Sequence, residues 1–400
     1  MSFKKSVNLL ESGSVCEVGC RISRGQLLPS LCAVKLDGSV PSGITGAYHS
    51  AGTGKYFLCT DSRVYVSDGG TGFTQSEPIA GEPFFIEDIY EGNPRAVIVN
   101  GSNAITYSGF SQRAFSYGAK LCCGVMHCGR LFGVDGDDRF KVRWSGEGGL
   151  CDWEQKINGS GSVTLDPERG TVLDIVEYGE KLIALRKSGL TVLSMFGAPE
   201  NFSVGLTDTD CAEIYRGTAK VAGGRLLFYT TDGLRAFDGS TVKTVEHNYS
   251  RDVSAPVCAA AFDGKYFLSC YSKSLNSDAV LCYDTAEGAS RLIDCKAEGL
   301  CTADAVFAYN SLGAYRLGYG GKYLFANAFD FGDDREKTVT KIFVSGNADI
   351  EISNGRISRR FTGVSGAVRP RLRGKSFTVK VTGTTPLYGL SATAEECNAV

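Results

Sequence analysis

Residue types able to do acid–base, nucleophilic or metal chemistry are present in this sequence, but their spacing does not assemble them. There are three histidines, His49, His127 and His247. None stands in a motif with a nucleophile or a second ligand, and a Ser-His-acid centre needs all three groups to meet in space. The nearest Cys/His cluster is Cys122, Cys123, His127 and Cys128. It lacks the paired spacing of a zinc site and reads as a strand edge whose thiols pack as small apolar groups. Adjacent carboxylates occur at Asp137-Asp138 and Asp333-Asp334. Glycoside hydrolysis needs two carboxyls facing each other across a cleft, whereas neighbours on a turn serve the turn and its solvation. Asp135-Gly-Asp-Asp138 offers oxygen ligands without the length and closing Glu of a calcium loop. Gly146-Glu-Gly-Gly149 carries no Lys-Ser/Thr and precedes no helix, so it is a turn and not a phosphate cradle. No catalytic, cofactor-binding or metal-binding residue is assigned from the sequence. No cofactor is expected, and the chain is expected not to be an enzyme.

The elements that would position such residues are short strands. Of 400 residues, 43% are hydrophobic and 22% charged, ordinary values that exclude a disordered chain. Glycine is in excess, with 50 residues against 10 prolines and an average of about 7%. Glycine without proline, among Val, Ile, Tyr, Phe and Thr, indicates many strands joined by tight turns. The net charge of −2 gives no basic face for nucleic acid. The one basic stretch, Arg356, Arg359, Arg360, Arg369, Arg371, Arg373 and Lys375, reads as solvated strand and turn positions. The 15 cysteines are odd in number and scattered. The N-terminus, Met1-Ser-Phe-Lys-Lys-Ser-Val-Asn8, has no long apolar run, and no stretch approaches the ~20 apolar residues of a membrane span. The expectation is a chain with free thiols, folding in the cytoplasm, without a signal peptide or membrane contact.

A repeat organises the strands. A glycine turn, an apolar run, a second turn and a second apolar run recur. Gly54-Lys-Tyr-Phe-Leu leads into Arg63-Val-Tyr-Val66, and Arg95-Ala-Val-Ile-Val99 into Ala104-Ile-Thr-Tyr107. Similar pairs begin at Gly129, Gly179, Gly224 and Gly264, and a weaker copy lies at Ala305-Val-Phe-Ala-Tyr309 or Lys322-Tyr-Leu-Phe-Ala326. Gly54-Lys-Tyr-Phe-Leu58 and Gly264-Lys-Tyr-Phe-Leu268 are identical. A period of roughly 35–50 residues is that of four-stranded propeller blades. The fold expected is all-β, a β-propeller of about six or seven blades over 1–332. Trp144 and Trp153 then fill space between blades. From Asp333-Asp-Arg-Glu-Lys337 the texture changes to alternating runs such as Thr340-Lys-Ile-Phe-Val344, with a type I′ hairpin signal at Asn354-Gly355. A small antiparallel, sandwich-like β-domain is expected over 333–400, the alternative being that this segment completes the propeller.

The segment Gly129-Arg-Leu-Phe through Arg143-Trp-Ser to Asp152-Trp153, followed by Asp174-Ile-Val-Glu-Tyr through Leu190-Thr-Val-Leu193, resembles β-propeller structural proteins of tailed phages and prophages. Gly374-Lys-Ser-Phe-Thr-Val-Lys-Val381 and the residues to Ala392 are similar to the β-domain attached to such proteins. The resemblance is strongest over 129–195, with weaker support at 224–240 and 370–393. It implies a non-enzymatic virion structural or assembly protein at the head–tail junction or tail, with portal, tail or connector proteins as partners, a possible homo-oligomer, and a virion location after cytoplasmic assembly. No catalytic residue travels with it. The alternative is a carbohydrate-binding or sialidase-like propeller. Ser67-Asp-Gly-Gly-Thr-Gly-Phe73 is similar to the Asp-box turn of sialidases with its spacing off by one residue. A sialidase centre would also need three arginines around a carboxylate and a tyrosine nucleophile.

Overall fold

The computed structural model describes residues 4–10, 16–18, 20–79, 82–108, 111–153, 159–206, 211–318 and 323–396. The chain is all-β, and the helical segments among these residues are two single turns, Pro167–Arg169 and Pro199–Asn201. Six sheets form a propeller. Blade 1 runs from Ile44–His49 to Thr74–Pro78, and blade 2 from Phe84–Tyr90 to Gly161–Thr164. Blade 3 spans Val172–Tyr178 to Ser203–Leu206, and blade 4 Lys220–Ala222 to Val242–Thr244. Blade 5 spans Ala259–Phe262 to Ala289–Ile293, and blade 6 begins at Gly299–Thr302. First strands of neighbouring blades touch: 299–302 meets both 44–49 and 259–262, and 220–222 meets 259–262. They line the axis.

The sequence repeat is the blade's hairpin. Gly54 and Gly264 both sit at φ +69° in the turn between first and second strands, a left-handed conformation that glycine adopts without penalty. The identical pentapeptides become the second strands, and Tyr56 and Tyr266 are buried in each. Lys55 pairs with Asp68 at 2.7 Å, and Lys265 with Asp284 at 3.6 Å, each reaching the end of the third strand.

Blade 2 is double width, which is why counting repeats reaches seven where there are six sheets. Its strand Asn93–Ser108 turns at Gly101, φ +61°. Its neighbour Ser111–His127 pairs with it over Ser111–Ser116 and again at Leu121, opposite Gly101, and from Leu121 onward pairs with Arg130–Asp135. Two leaves result, with Ile86, Val97, Tyr117, Leu131 and Trp153 between them. The copies at Arg95 and Gly129 are these two leaves. The copy at Ala305 is blade 6. Lys322 lies outside the described residues, and Tyr323–Phe329 belongs to the second unit.

The ring closes with a strand from the other end of the chain. Cys32–Lys35 is the outer strand of blade 6, with Tyr315 opposite Lys35 and Leu317 opposite Ala33. The N-terminal residues also enter the second unit. Lys4–Asn8 pairs with Gly389–Glu396, and Tyr323–Phe329 pairs along its length with Phe377–Gly383. The long strand Lys337–Ser353 carries Gly389–Glu396, Phe377–Gly383 and Ser358–Val368. One core holds Leu9, Leu27, Phe325, Ile342, Val379 and Leu390. Hydrogen bonding thus draws residues on both sides of the 332/333 break, and from the N-terminus, into the C-terminal unit. This sheet continues into blade 5, because Cys16–Val18 bridges Leu324–Ala326 on one side and Leu292 on the other. At Asn354-Gly355 the hairpin forms, with Ser353 opposite Ser358, but only Gly355 has positive φ. A two-residue type I′ turn needs both. Asn354 Oδ1 instead accepts from the amides of Arg356 and Ile357, at 2.9 and 2.8 Å.

Candidate functional site

The turns between first and second strands, and between third and fourth, emerge on one face of the ring. On the wide blade and its neighbours this face carries three adjoining grooves. The turn Tyr90–Asn93 is short, and the strand pairing carried up to it leaves Ile89 and Tyr90 no interior to fill. They are 73% and 55% exposed. Arg95, opposite Asp88 in the register, donates to its carboxylate at 2.7 Å and lies over the Tyr90 ring at 4.6 Å. Tyr90, Arg95, Thr106 and Arg113 form the shared wall of two grooves. One runs to Gly52 and Thr53 of blade 1, the other to Gly148–Asp152 of the second leaf. A third groove, on the far side of the 146–152 loop, is lined by Arg130, Glu147 and the turn Phe196–Glu200 of blade 3, with Phe196 67% exposed. Arg130 itself is buried and fixed by the carbonyls of Ser145 and Gly159, at 3.1 and 3.3 Å. Exposed aromatics beside oriented arginines on a rigid strand scaffold are the composition of protein-docking hot spots.

A second polar group lies at the axis. Arg216, entering blade 4, donates Nη2 to the carbonyl of Cys122 at 2.9 Å and pairs with Glu82 ahead of blade 2. It ties the entry to blade 4 to blade 2 and to the link ahead of blade 2. Beside it the carboxyl of Asp174 is pushed up by burial, against the opposing fields of Lys220 and Arg216.

The residues singled out in the sequence fall into other roles. His127 meets Glu177 at 2.8 Å and not the neighbouring thiols, and Cys128 is exposed in a turn at φ +47°. Among the described residues no three His, Cys, Asp or Glu side chains converge as a metal site. His49 packs on Tyr56 at 4.4 Å, and His247 Nδ1 accepts from the Tyr249 amide at 3.3 Å. Burial holds both imidazoles below their ordinary value. Asp135 Oδ1 accepts from the amides of Asp137 and Asp138, at 2.9 and 3.2 Å. Asp333 holds Lys5, Arg335 and Lys337. Ser67 Oγ accepts from the Gly69 amide and closes its turn. Trp144 packs between the second leaf and blade 3, and Trp153 between the two leaves. In the basic stretch, Arg360 pairs with Glu351 and Arg373 with Glu336. For a sialidase-type centre, the shared groove wall brings together one tyrosine and two arginines, one already paired to Asp88.

No known protein family matches the sequence, and no curated protein matches it. Solved structures similar to the chain include the β-propeller domain of Cps50 (Swd1) from Myceliophteria thermophila, at 12% identity. That match covers 71% of this chain and 98% of the other, with a TM-score of 0.49. Raptor from Chaetomium thermophilum is similar at 10% identity over 72% of this chain and 29% of its own, with a TM-score of 0.48. PorZ, a surface component of the type-IX secretion system of Porphyromonas gingivalis, is similar at 10% identity over 89% of this chain and 58% of its own, with a TM-score of 0.48. No helix of the described residues is long and apolar enough to cross a membrane.

Proposed function

We propose that this chain is a non-enzymatic docking component of a tailed phage or prophage virion, placed at the head–tail junction or in the tail. The observation that carries the docking half is the arc of Ile89, Tyr90 and Phe196 beside Arg95, Arg113 and Arg130 on one face of the ring. Apolar side chains held in water by rigid turns gain on meeting a partner, since about 25 cal/mol accrues per Å² of apolar surface covered. Little ordering cost offsets that gain where strands fix the backbone. The virion half rests on the resemblance over 129–195, a stretch that forms the second leaf and most of blade 3, next to these grooves. The partners would be portal, connector or tail proteins, each presenting a surface complementary to aromatic and cationic groups.

The genes beside this one test the reading. Portal, head-completion and tail genes are the expected neighbours. A neighbourhood of metabolic genes would remove the virion assignment and leave only a propeller with a docking face.

A further inference from the structure

One strand of the wide blade has an edge without a neighbour. From Leu121 onward, Ser111–His127 has Arg130–Asp135 beside it. Over Ser111–Ser116 the only hydrogen-bonded strand among the described residues is Asn93–Ser108, on one side. Thr106 lies opposite Arg113 in that pairing, and its hydroxyl donates to the Arg113 carbonyl at 3.2 Å. The main chain of Arg113 therefore faces inward. Alternation along an antiparallel strand then turns the N–H and C=O groups of Gln112, Ala114 and Ser116 to the open side. All three residues are exposed.

The open edge borders a groove. Arg113 and Phe115, two residues apart and so on one face of the strand, line it together with Tyr90, Arg95 and the loop Gly148–Asp152. The lining holds two guanidiniums against one carboxylate, that of Asp152. Arg95 is held by Asp88, whereas Arg113 has no ion-pair partner among the described residues. The opposite face of the strand is engaged. Gln112 donates to Glu77 at 2.8 Å and accepts from Ser76 at 2.7 Å, both on the outer strand of blade 1. The segment is thus braced on one face, grooved on the other and unpaired along its edge. Such an edge is a template for an extended chain, and a charge on it discourages pairing with a copy of itself.

We propose that Ser111–Ser116 is a strand-addition site: an extended acidic segment of a partner protein binds along this edge as a further antiparallel strand, with a carboxylate on Arg113 and an apolar side chain on Phe115. This rests on the reading of the grooved face as a docking surface and specifies how the partner is held there. Main-chain bonds to Gln112, Ala114 and Ser116 supply the attachment, and the side chains along the groove supply the selection. Side chains directly opposite each other in paired strands meet on one face. The partner's acid and its apolar residue are therefore two positions apart, matching Arg113 and Phe115.

The probe is the end-capped peptide Thr-Val-Thr-Glu-Thr-Val, whose two valines and glutamate share one face. Mixed with the full chain at millimolar concentration, it should slow single-amide hydrogen exchange at Gln112, Ala114 and Ser116 and leave Arg113 unchanged. Side-chain docking alone does not produce that alternation. A peptide with Lys in place of Glu should bind about tenfold less tightly, and Arg113→Glu should reverse the preference. Ala114→Pro removes one outward N–H, which an edge strand tolerates, and should weaken binding. N-methylation of the two inner threonines of the peptide should do the same on the wild-type chain, which decides the matter even if Ala114→Pro does not fold. Exchange left unchanged or slowed evenly across 111–116, or binding indifferent to the Lys peptide or to N-methylation, would overturn the proposal. Peptide binding needs no virion protein, so the two readings fail separately. A virion protein that protects 84–95 where the peptide does nothing would overturn strand addition alone. Alternating protection by the peptide, with no virion protein binding, would uphold strand addition without the virion assignment.

Discussion

The side-chain amide of Asn327 donates to the main-chain carbonyl of Leu9 at 2.6 Å, and both residues are fully buried. One bond thus joins the first described strand segment to the strand that leaves the ring. Segments 318 residues apart in the chain close onto each other here, and the same N-terminal segment goes on to close blade 6. Losing a partner for a buried carbonyl costs about 1–3 kcal/mol. Asn327→Ala should lower the urea midpoint accordingly. Trp144 and Trp153, the only two tryptophans, both lie in the ring, so their fluorescence reports ring unfolding alone. If the shared strands couple the two units, this second-unit variant moves the fluorescence transition. An unmoved transition would show the units to be independent.

Lys337 is fully buried, and its ammonium is held by Asp333 together with the carbonyls of Asp333 and Arg335, each at 2.9 Å. The ammonium of Lys337, with Lys5 and Arg335, holds the Asp333 carboxyl well below the usual carboxylate range. A carboxyl depressed in the folded state adds stability above its unfolded value of about 3.9 and loses it as pH falls toward the folded value. Asp333→Asn should therefore lower the urea midpoint at pH 6, and the gap from wild type should narrow steadily below pH 4. A gap independent of pH would show that the charge plays no part.

Arg186 is 1% exposed and acts as a strut inside blade 3. Its Nε and Nη2 donate to the carbonyl of Gly170 at 2.8 and 2.6 Å, and Nη1 to Thr191 Oγ1 at 3.3 Å. Each such charged hydrogen bond is worth about 1.5–3 kcal/mol. Arg186→Met should cost about 3 kcal/mol or more in denaturant titration, with protection from hydrogen exchange lost first at 166–172.

The two identical pentapeptides permit a matched pair of substitutions. A Cβ at Gly54 would meet no heavy atom within 4 Å, and one at Gly264 would meet only Thr285 Oγ1, at 3.7 Å. At both sites φ is the sole obstacle, and Gly→Ala should cost about 1–2 kcal/mol at each. Gly133 differs, since its Cβ would lie 2.5 Å from Leu121 Cδ1 and 2.9 Å from the Cys123 carbonyl. Gly133→Ala should be clearly worse in the same thermal-melt series.

Local features were legible in the sequence, and long-range ones were not. Gly54, Gly129, Gly179, Gly224 and Gly264 mark hairpin turns because a left-handed φ selects glycine at each. The strands after them are apolar on both faces because blades pack on both sides. The pairing of Lys4–Asn8 with Gly389–Glu396 leaves no local trace, since a strand's periodicity does not name its partner. Asn354-Gly355 located a hairpin but not its geometry, because the Asn354 side chain competes for the turn's amides. For the docking face a signal existed in Ile89-Tyr-Glu-Gly92 and Phe196-Gly197, where large apolar residues abut turn glycines. Arg216 carried none, as its contacts lie 94 and 134 residues away.

The proposed role requires a partner bound on the grooved face of the wide blade. Hydrogen exchange of the full chain, alone and mixed with the portal, connector and tail proteins proposed as its partners, tests that most directly. Protection at 84–95 and 195–200 in one such mixture is predicted. So is at least a roughly tenfold weaker complex for Tyr90→Ala/Phe196→Ala, whose exposed positions should leave stability within about 0.5 kcal/mol of wild type. Binding that protects other faces, or that the double substitution leaves unchanged, would contradict it.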